Sequence, residues 1–179
     1  MKQSSAVAAP LSRQNIRDYA KYIREIVGLE NQLYFPILFL LEMVMPQIDP
    51  EFSLEILPKD EMGEYFGLTC PSKHKIILRE DVYDGAVNGN GMHRFTVAHE
   101  IGHYLLHTNR SVVLARNNPE ERIPAYLDPE WQADCFAGEL LMPAELIKSM
   151  NANEIAFACR VSLAAARTQL RKVLNEKRR

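Results

Sequence analysis

Cysteine is scarce in this chain of 179 residues, and its count is odd: Cys70, Cys135 and Cys159. They are widely spaced and contain no C-x-x-C, which excludes a disulfide framework and fits a reducing cytosol. An excess of charge of one sign is also missing. The formal net charge is −2 and the pI about 6.2, which argues against a chain built mainly to hold nucleic acid or an anionic membrane. No apolar run is long enough to cross a bilayer. The most apolar stretch, LYFPILFLLEMVM over 33–45, is short and interrupted by Pro36 and Glu42, so it predicts a buried helix. The N-terminus has one lysine and no continuous apolar segment, unlike a secretion signal. Internal repeats and low-complexity tracts are absent too. What remains is ordinary globular composition, 47% apolar and 25% charged, enough for one domain to bury a core without staples.

Residues 1–11 are small and polar with a proline, which predicts a frayed tail ahead of a single domain over 12–179. Ser12 can cap a helix over 13–27, with Ile16, Ala20, Ile23 and Val27 on one stripe and Gly28 ending it. A second helix is expected from Pro36 to just before Pro46. The period then changes. FSLEIL (52–57) alternates like a half-buried strand, and YFGLT and HKIILRE around CPSK suggest a hairpin. VNGNGM reads as a loop. A helical period returns from Phe95. After a loop through Asp128, that residue caps a further helix with Pro129 in its first turn, stopping at Pro143. Two or three short helices finish the chain.

FTVAHEIGHYLLH (95–107) places three of the five histidines within nine positions. His99 and His103 are four apart, so on a helix their Cβ atoms lie about 5–6 Å apart on one face. Two imidazole nitrogens can then converge on one ion at about 2.0–2.1 Å. Glu100 sits beside them, placed to take a proton from the attacking water. This is the H-E-x-x-H arrangement. The bland alternative, histidines serving only helix packing, fits the loop and apolar entry RFTVA less well.

A catalytic zinc site needs a third protein ligand and one open position. The extended motif with a third histidine fails, because positions 106 and 109 are Leu and Asn. His107 is about two turns from His99, too far to share its ion. A carboxylate from the following helix is the better source. Glu130, at that helix's second position, is favoured over Glu120, Glu121, Asp128 and Glu139, although a carboxylate at a helix N-terminus is also favourable by itself. Asp134, one turn on, can accept a hydrogen bond from a ligand histidine.

RFTVAHEIGHYLLH followed by EWQADCFAGELLMP resembles the ImmA/IrrE family of metallopeptidases. The resemblance runs from about Lys75 to the chain end, and residues 1–65 carry none of it. It implies a small zincin-like α+β domain, mainly helical with a small mixed or antiparallel sheet. It implies His99, His103 and Glu130 as Zn2+ ligands, the glutamate lying 27 residues after His103, with Glu100 as general base and Asp134 at the family's Asn/Asp position. Family members often act on a helix-turn-helix repressor, or work in toxin–antitoxin pairs. A repressor or antitoxin is thus the expected protein partner, and the cytoplasm the expected location. A zinc-containing regulator that binds its partner without cutting it is the alternative from another class. The intact Glu100 favours the enzyme.

Hydrolysis also needs a donor for the oxyanion. His107, Tyr104 and Tyr126 are the candidates by position. By analogy with how zincins work, the KIIL strand is the expected edge for an extended substrate. Gly102 inside the metal helix suggests close approach of another backbone. The small residues of AGELLMP suggest tight packing on that same helix, and Trp131 and Phe136 belong to the core. The tail EIAFACRVSLAAARTQL has a helix-turn-helix rhythm and basic residues. Arg160 stands where glycine is usual, so direct nucleic-acid contact is not expected.

Overall fold

Ser12 closes the first long helix by reciprocal capping. Its Oγ accepts the Asn15 N–H at 3.1 Å while Asn15 Oδ1 accepts the Ser12 N–H at 3.1 Å, satisfying two donors that a helix start leaves open. The computed structural model describes residues 5–107, 113–115 and 123–176. In chain order the first elements are β1 (Ser5–Val7), α1 (Arg13–Ile26), α2 (Ile37–Phe39), a π turn (Leu40–Val44) and α3 (Met45–Ile48). The sheet region follows, with β2 (Ser53–Leu57), α4 (Lys59–Met62), β3 (Gly67–Cys70) and β4 (Lys75–Arg79). The remainder is helical apart from one strand: α5 (Glu80–Val87), α6 (Gly91–His107), β5 (Val113–Ala115), α7 (Pro129–Leu141), α8 (Ala144–Ile147), α9 (Ala152–Cys159) and α10 (Leu163–Glu176). No helix among the described residues is long and apolar enough to cross a membrane.

The fold is α+β, helices around a three-stranded mixed sheet ordered β2-β4-β3. β2 runs parallel to β4, and β3 antiparallel to it. The hairpin read from CPSK is β3–β4, turned through His74 at a left-handed φ of 51°. β4 carries Ile76 and Leu78 into the core and is the central strand. The expectation that KIIL forms a free edge is therefore corrected: among the described residues the edge beside α6 is β3.

Two further expectations change. Residues 5–11, read as a frayed tail, are tied down. Ser5–Val7 pairs with Val113–Ala115, Ala8 donates to Leu127 O and Leu11 to Tyr126 O, both at 2.9 Å. Residues 1–4 lie outside the described residues. The second helix does not stop before Pro46. The Met45 N–H bonds back five residues to Leu40 O, and this wider turn lets the helical path pass the proline, which has no N–H to give.

α6 and α7 pack closely, and Gly102 is the reason they can. A Cβ there would lie 3.2 Å from Ala133 Cα and 3.1 Å from Phe136 Cδ1. Gly138, expected on the same seam, faces α10 instead, with its missing Cβ 2.9 Å from Gln169 Oε1. Phe136 is fully buried and Trp131 only half-buried. Gly102→Val is expected to lower stability by about 1–3 kcal/mol through overpacking, read as a lower urea midpoint at unchanged m-value. An unchanged midpoint would mean α7 yields freely.

Two buried arginines brace this core. Arg94 of α6 donates from Nε to Arg160 O at 2.9 Å and from Nη2 to Phe35 O at 2.7 Å. It thus holds the left-handed Arg160 turn between α9 and α10. Arg24 of α1 donates to Leu140 O at 2.6 Å and to Gln32 O. Burial pulls its pKa down to about 10.

Candidate metal centre

The 3.6-residue period of α6 puts His99, His103 and His107 on one stripe, facing the start of α7. His99 Nε2 and His103 Nε2 lie 3.0 Å apart. Asp128 caps α7 by accepting the Glu130 N–H at 3.0 Å, and Pro129 sits in the first turn with no donor to lose. That cap fixes where Glu130 emerges. Its Oε2 lies 3.3 Å from His99 Nε2 and its Oε1 3.3 Å from His103 Nε2. The three residues can each offer one ligand atom within 4.8 Å of the others.

The outward nitrogens are taken. His99 Nδ1 meets Asp134 Oδ1 at 2.9 Å, and His103 Nδ1 meets His107 Nδ1 at 3.3 Å. Both histidines therefore turn Nε2 toward the same point. Burial works to lower the His99 pKa, but its bonds to Asp134 and Glu130 outweigh this and lift it to about 9. Hydrogen bonds from His103 first and His99 second hold Glu130 well below the usual carboxylate range. Carboxylates that favour a proton on the His99 ring also favour a divalent cation beside it. Two imidazoles and one carboxylate make a donor set that suits zinc, with a side left open to the cleft. The residues present fit the ion.

Glu100 emerges from α6 toward β3 rather than toward Glu130. It is only 7% exposed. The Thr69 hydroxyl donates to its Oε2 at 2.6 Å and lies 3.0 Å from its carbonyl oxygen. Gly67 makes room for it: a Cβ at 67 would stand 2.7 Å from Glu100 Cγ. Glu100, His99, His103, His107 and Glu130 all line one open cleft of about 440 Å³, whose other wall includes Tyr65 and Leu68.

The remaining sequence candidates separate. His107 lines the cleft but is 5% exposed, with Nε2 on Gln132 Oε1 at 3.0 Å. Tyr104 is not at the cleft. It is buried on the sheet side of α6, one turn beyond Glu100, its hydroxyl donating to Asp49 Oδ2 at 2.5 Å and its ring edge-on to Phe52. The stripe carrying the histidines leaves position 104 about 100° away, facing the sheet side. Tyr126 is half-exposed and absent from the cleft lining. Asp128 is committed to capping. Glu139 is buried against Arg13 and Arg17 at 3.2 and 3.0 Å. Glu120 and Glu121 lie outside the described residues. A second group, Asp49, Glu51 and His74, is also close enough to share an ion. Asp49 Oδ2 there already accepts from Tyr104 and meets His74 Nδ1 at 2.6 Å, and these residues are absent from the cleft lining.

Thr69, Gly67 and Gln132 are the site residues that sequence reading missed. Gln132 had no usable signal, since two residues after Glu130 it leaves α7 about 200° around the helix from that ligand. Thr69 and Gly67 had none, because their role depends on which strand edges the sheet.

Residues 83–170 match the family model of Peptidase M78, the IrrE N-terminal-like domain. The match takes in both histidines, Glu100, Glu130 and Asp134, and it marks this segment as a peptidase domain of the ImmA/IrrE type. No curated protein matches the chain.

Proposed function

Since residues 83–170 belong to the IrrE N-terminal-like peptidase family, we propose that the protein is a zinc-dependent endopeptidase acting on a cytosolic helix-turn-helix repressor or antitoxin. One observation carries the reading. His99 Nε2, His103 Nε2 and the Glu130 carboxylate converge in the same cleft as the buried Glu100 carboxylate, which is held by the Thr69 hydroxyl. A site meant only to hold an ion has no need of Glu100.

When bound, zinc supplies Lewis acidity that polarises a carbonyl and acidifies water. The chain's own residues do the rest. Glu100 accepts a proton from the attacking water and returns it to the leaving amine. Thr69 holds that carboxylate in one orientation. β3, paired only with β4 among the described residues, offers its outer edge to an extended peptide, which would lie beside Glu100 by strand addition. Leu68 and Tyr65 then meet the substrate's side chains.

The test mixes the zinc-loaded protein with any helix-turn-helix protein found encoded beside its gene and maps fragments by mass spectrometry. Cleavage at a defined bond, stopped by a chelator, is the expected result. A partner that co-elutes intact would sink the peptidase reading and favour a regulator that acts by binding.

A further inference from the structure

Residues 5–11 lie outside the matched segment 83–170, yet they hold both described pieces of the connection between α6 and α7. β1 pairs with β5 at one of them. At the other, the same segment meets the short 3-10 turn Ala125–Leu127 that leads into α7. That turn makes two bonds of its own: the Leu127 N–H donates to Pro124 O at 2.8 Å and the Asp128 N–H to Ala125 O at 3.1 Å. The next two carbonyls, Tyr126 O and Leu127 O, take their donors from the N-terminal segment. The Leu11 N–H reaches Tyr126 O and the Ala8 N–H reaches Leu127 O, both at 2.9 Å. Gln132 of α7 closes the junction, its Nε2 donating to Ala9 O at 2.8 Å and to Tyr126 O at 2.9 Å. Ala8 and Gln132 are buried, so an acceptor left without its donor there would be costly. Asp128 follows the two clamped carbonyls directly, and its Oδ1 accepts the Glu130 N–H at 3.0 Å. The first turn of a helix has the fewest bonds of its own, and Glu130 sits in it.

We propose that Ala8–Leu11 is a positioning strap: it fixes the backbone at 126–128 and thereby the point from which Glu130 leaves α7 toward His99 and His103. The proposal rests on the reading of Glu130 as a metal ligand. It gives the N-terminal segment, which carries no part of the family motif, a share in the site. The histidines do not need the strap, because α6 is seated by its own seam with α7 at Gly102. Glu130 needs it because the turn ahead of α7 leaves two carbonyls for another segment to satisfy. Coupling of this kind is reciprocal. A strap that helps Glu130 hold an ion must itself be tightened when the ion binds, although neither Ala8 nor Leu11 lines the cleft.

The test reads backbone amide exchange by NMR, with and without zinc, and needs no substrate. In the metal-free wild type the amides of Ala8, Leu11, Leu127 and Asp128 are expected to open as one unit, with the same denaturant dependence. One equivalent of zinc is expected to slow exchange at Ala8 and Leu11 by about tenfold. Ala8→Pro removes the donor to Leu127 O. It is expected to speed exchange at Asp128 and Glu130 and to weaken zinc binding roughly tenfold in a chelator competition, the effect of about one buried hydrogen bond. Ala9→Pro removes an N–H that bonds to none of the described residues and keeps Ala9 O, so its zinc affinity is expected within about threefold of wild type. Val173→Ala, in the core under α10, is expected to lower the melting temperature and leave zinc affinity alone, which separates positioning from plain loss of stability. Zinc bound at one ion per chain with exchange at Ala8 and Leu11 unchanged overturns the proposal, even where Ala8→Pro fails to fold. So does a folded Ala8→Pro variant with wild-type zinc affinity. If the wild type takes up no zinc, the metal reading falls, and the strap's hold on Glu130 is decided by the metal-free exchange: separate opening of the strap and the 126–128 turn overturns it, and joint opening keeps it.

Discussion

Replacing Glu100 by Gln is expected to lower peptide hydrolysis by about 10²–10⁴-fold, the range for loss of a positioned general base. The substitution isolates the proton step. Gln has the shape of Glu, so it fits the space that Gly67 leaves and can still accept the Thr69 hydroxyl, now 2.6 Å from Oε2. His99 is held by Asp134, and His99, His103 and Glu130 meet one another through contacts that do not involve Glu100, so zinc uptake is expected to stay at one ion per chain. The measurement is kcat/KM on one substrate for both forms, beside elemental analysis. A Gln variant that cuts at the wild-type rate would remove Glu100 from the chemistry. A variant that loses zinc as well as activity would make Glu100 part of the ion's support instead.

The features legible in the sequence are those whose geometry is set within a few residues. The four-residue spacing of His99 and His103 is a helical neighbour relation, and α6 realises it. Asp128-Pro129 is a local start signal, so α7 begins where the sequence puts it and Glu130 emerges at its first turn. The Ser12 cap and the β3–β4 hairpin are local in the same sense. What stayed hidden depends on long-range partners. The period of α6 says that Tyr104 leaves the helix away from His103, but not that Asp49, 55 positions back, waits for its hydroxyl. The order β2-β4-β3 makes KIIL central through a parallel pairing that no turn signal announces. Thr69 and Gly67 matter only because that order brings β3 against Glu100. Pro46 misled because proline usually ends a helix, and a single wide turn upstream was enough to carry it.

Zinc added to chelator-treated protein is expected to raise the melting temperature by roughly 8–16 °C. At a free concentration about 1,000 times Kd, binding to the native state alone adds about 4 kcal/mol, and each kcal/mol moves a domain of this size by about 2–4 °C. Glu130→Gln should lose most of that rise. The charge that sits 3.3 Å from both Nε2 atoms is removed, while the backbone N–H capped by Asp128 is kept. The same variant tests the plainest rival account, that Glu130 is only an acid in the first turn of α7. In that case the cost is about 0.3–1 kcal/mol of helix-dipole interaction. The metal-free protein would melt a few degrees lower and the zinc-induced rise would survive intact. The two accounts thus differ in which melting curve moves: the zinc-loaded one if Glu130 is a ligand, the metal-free one if it is merely well placed on a helix.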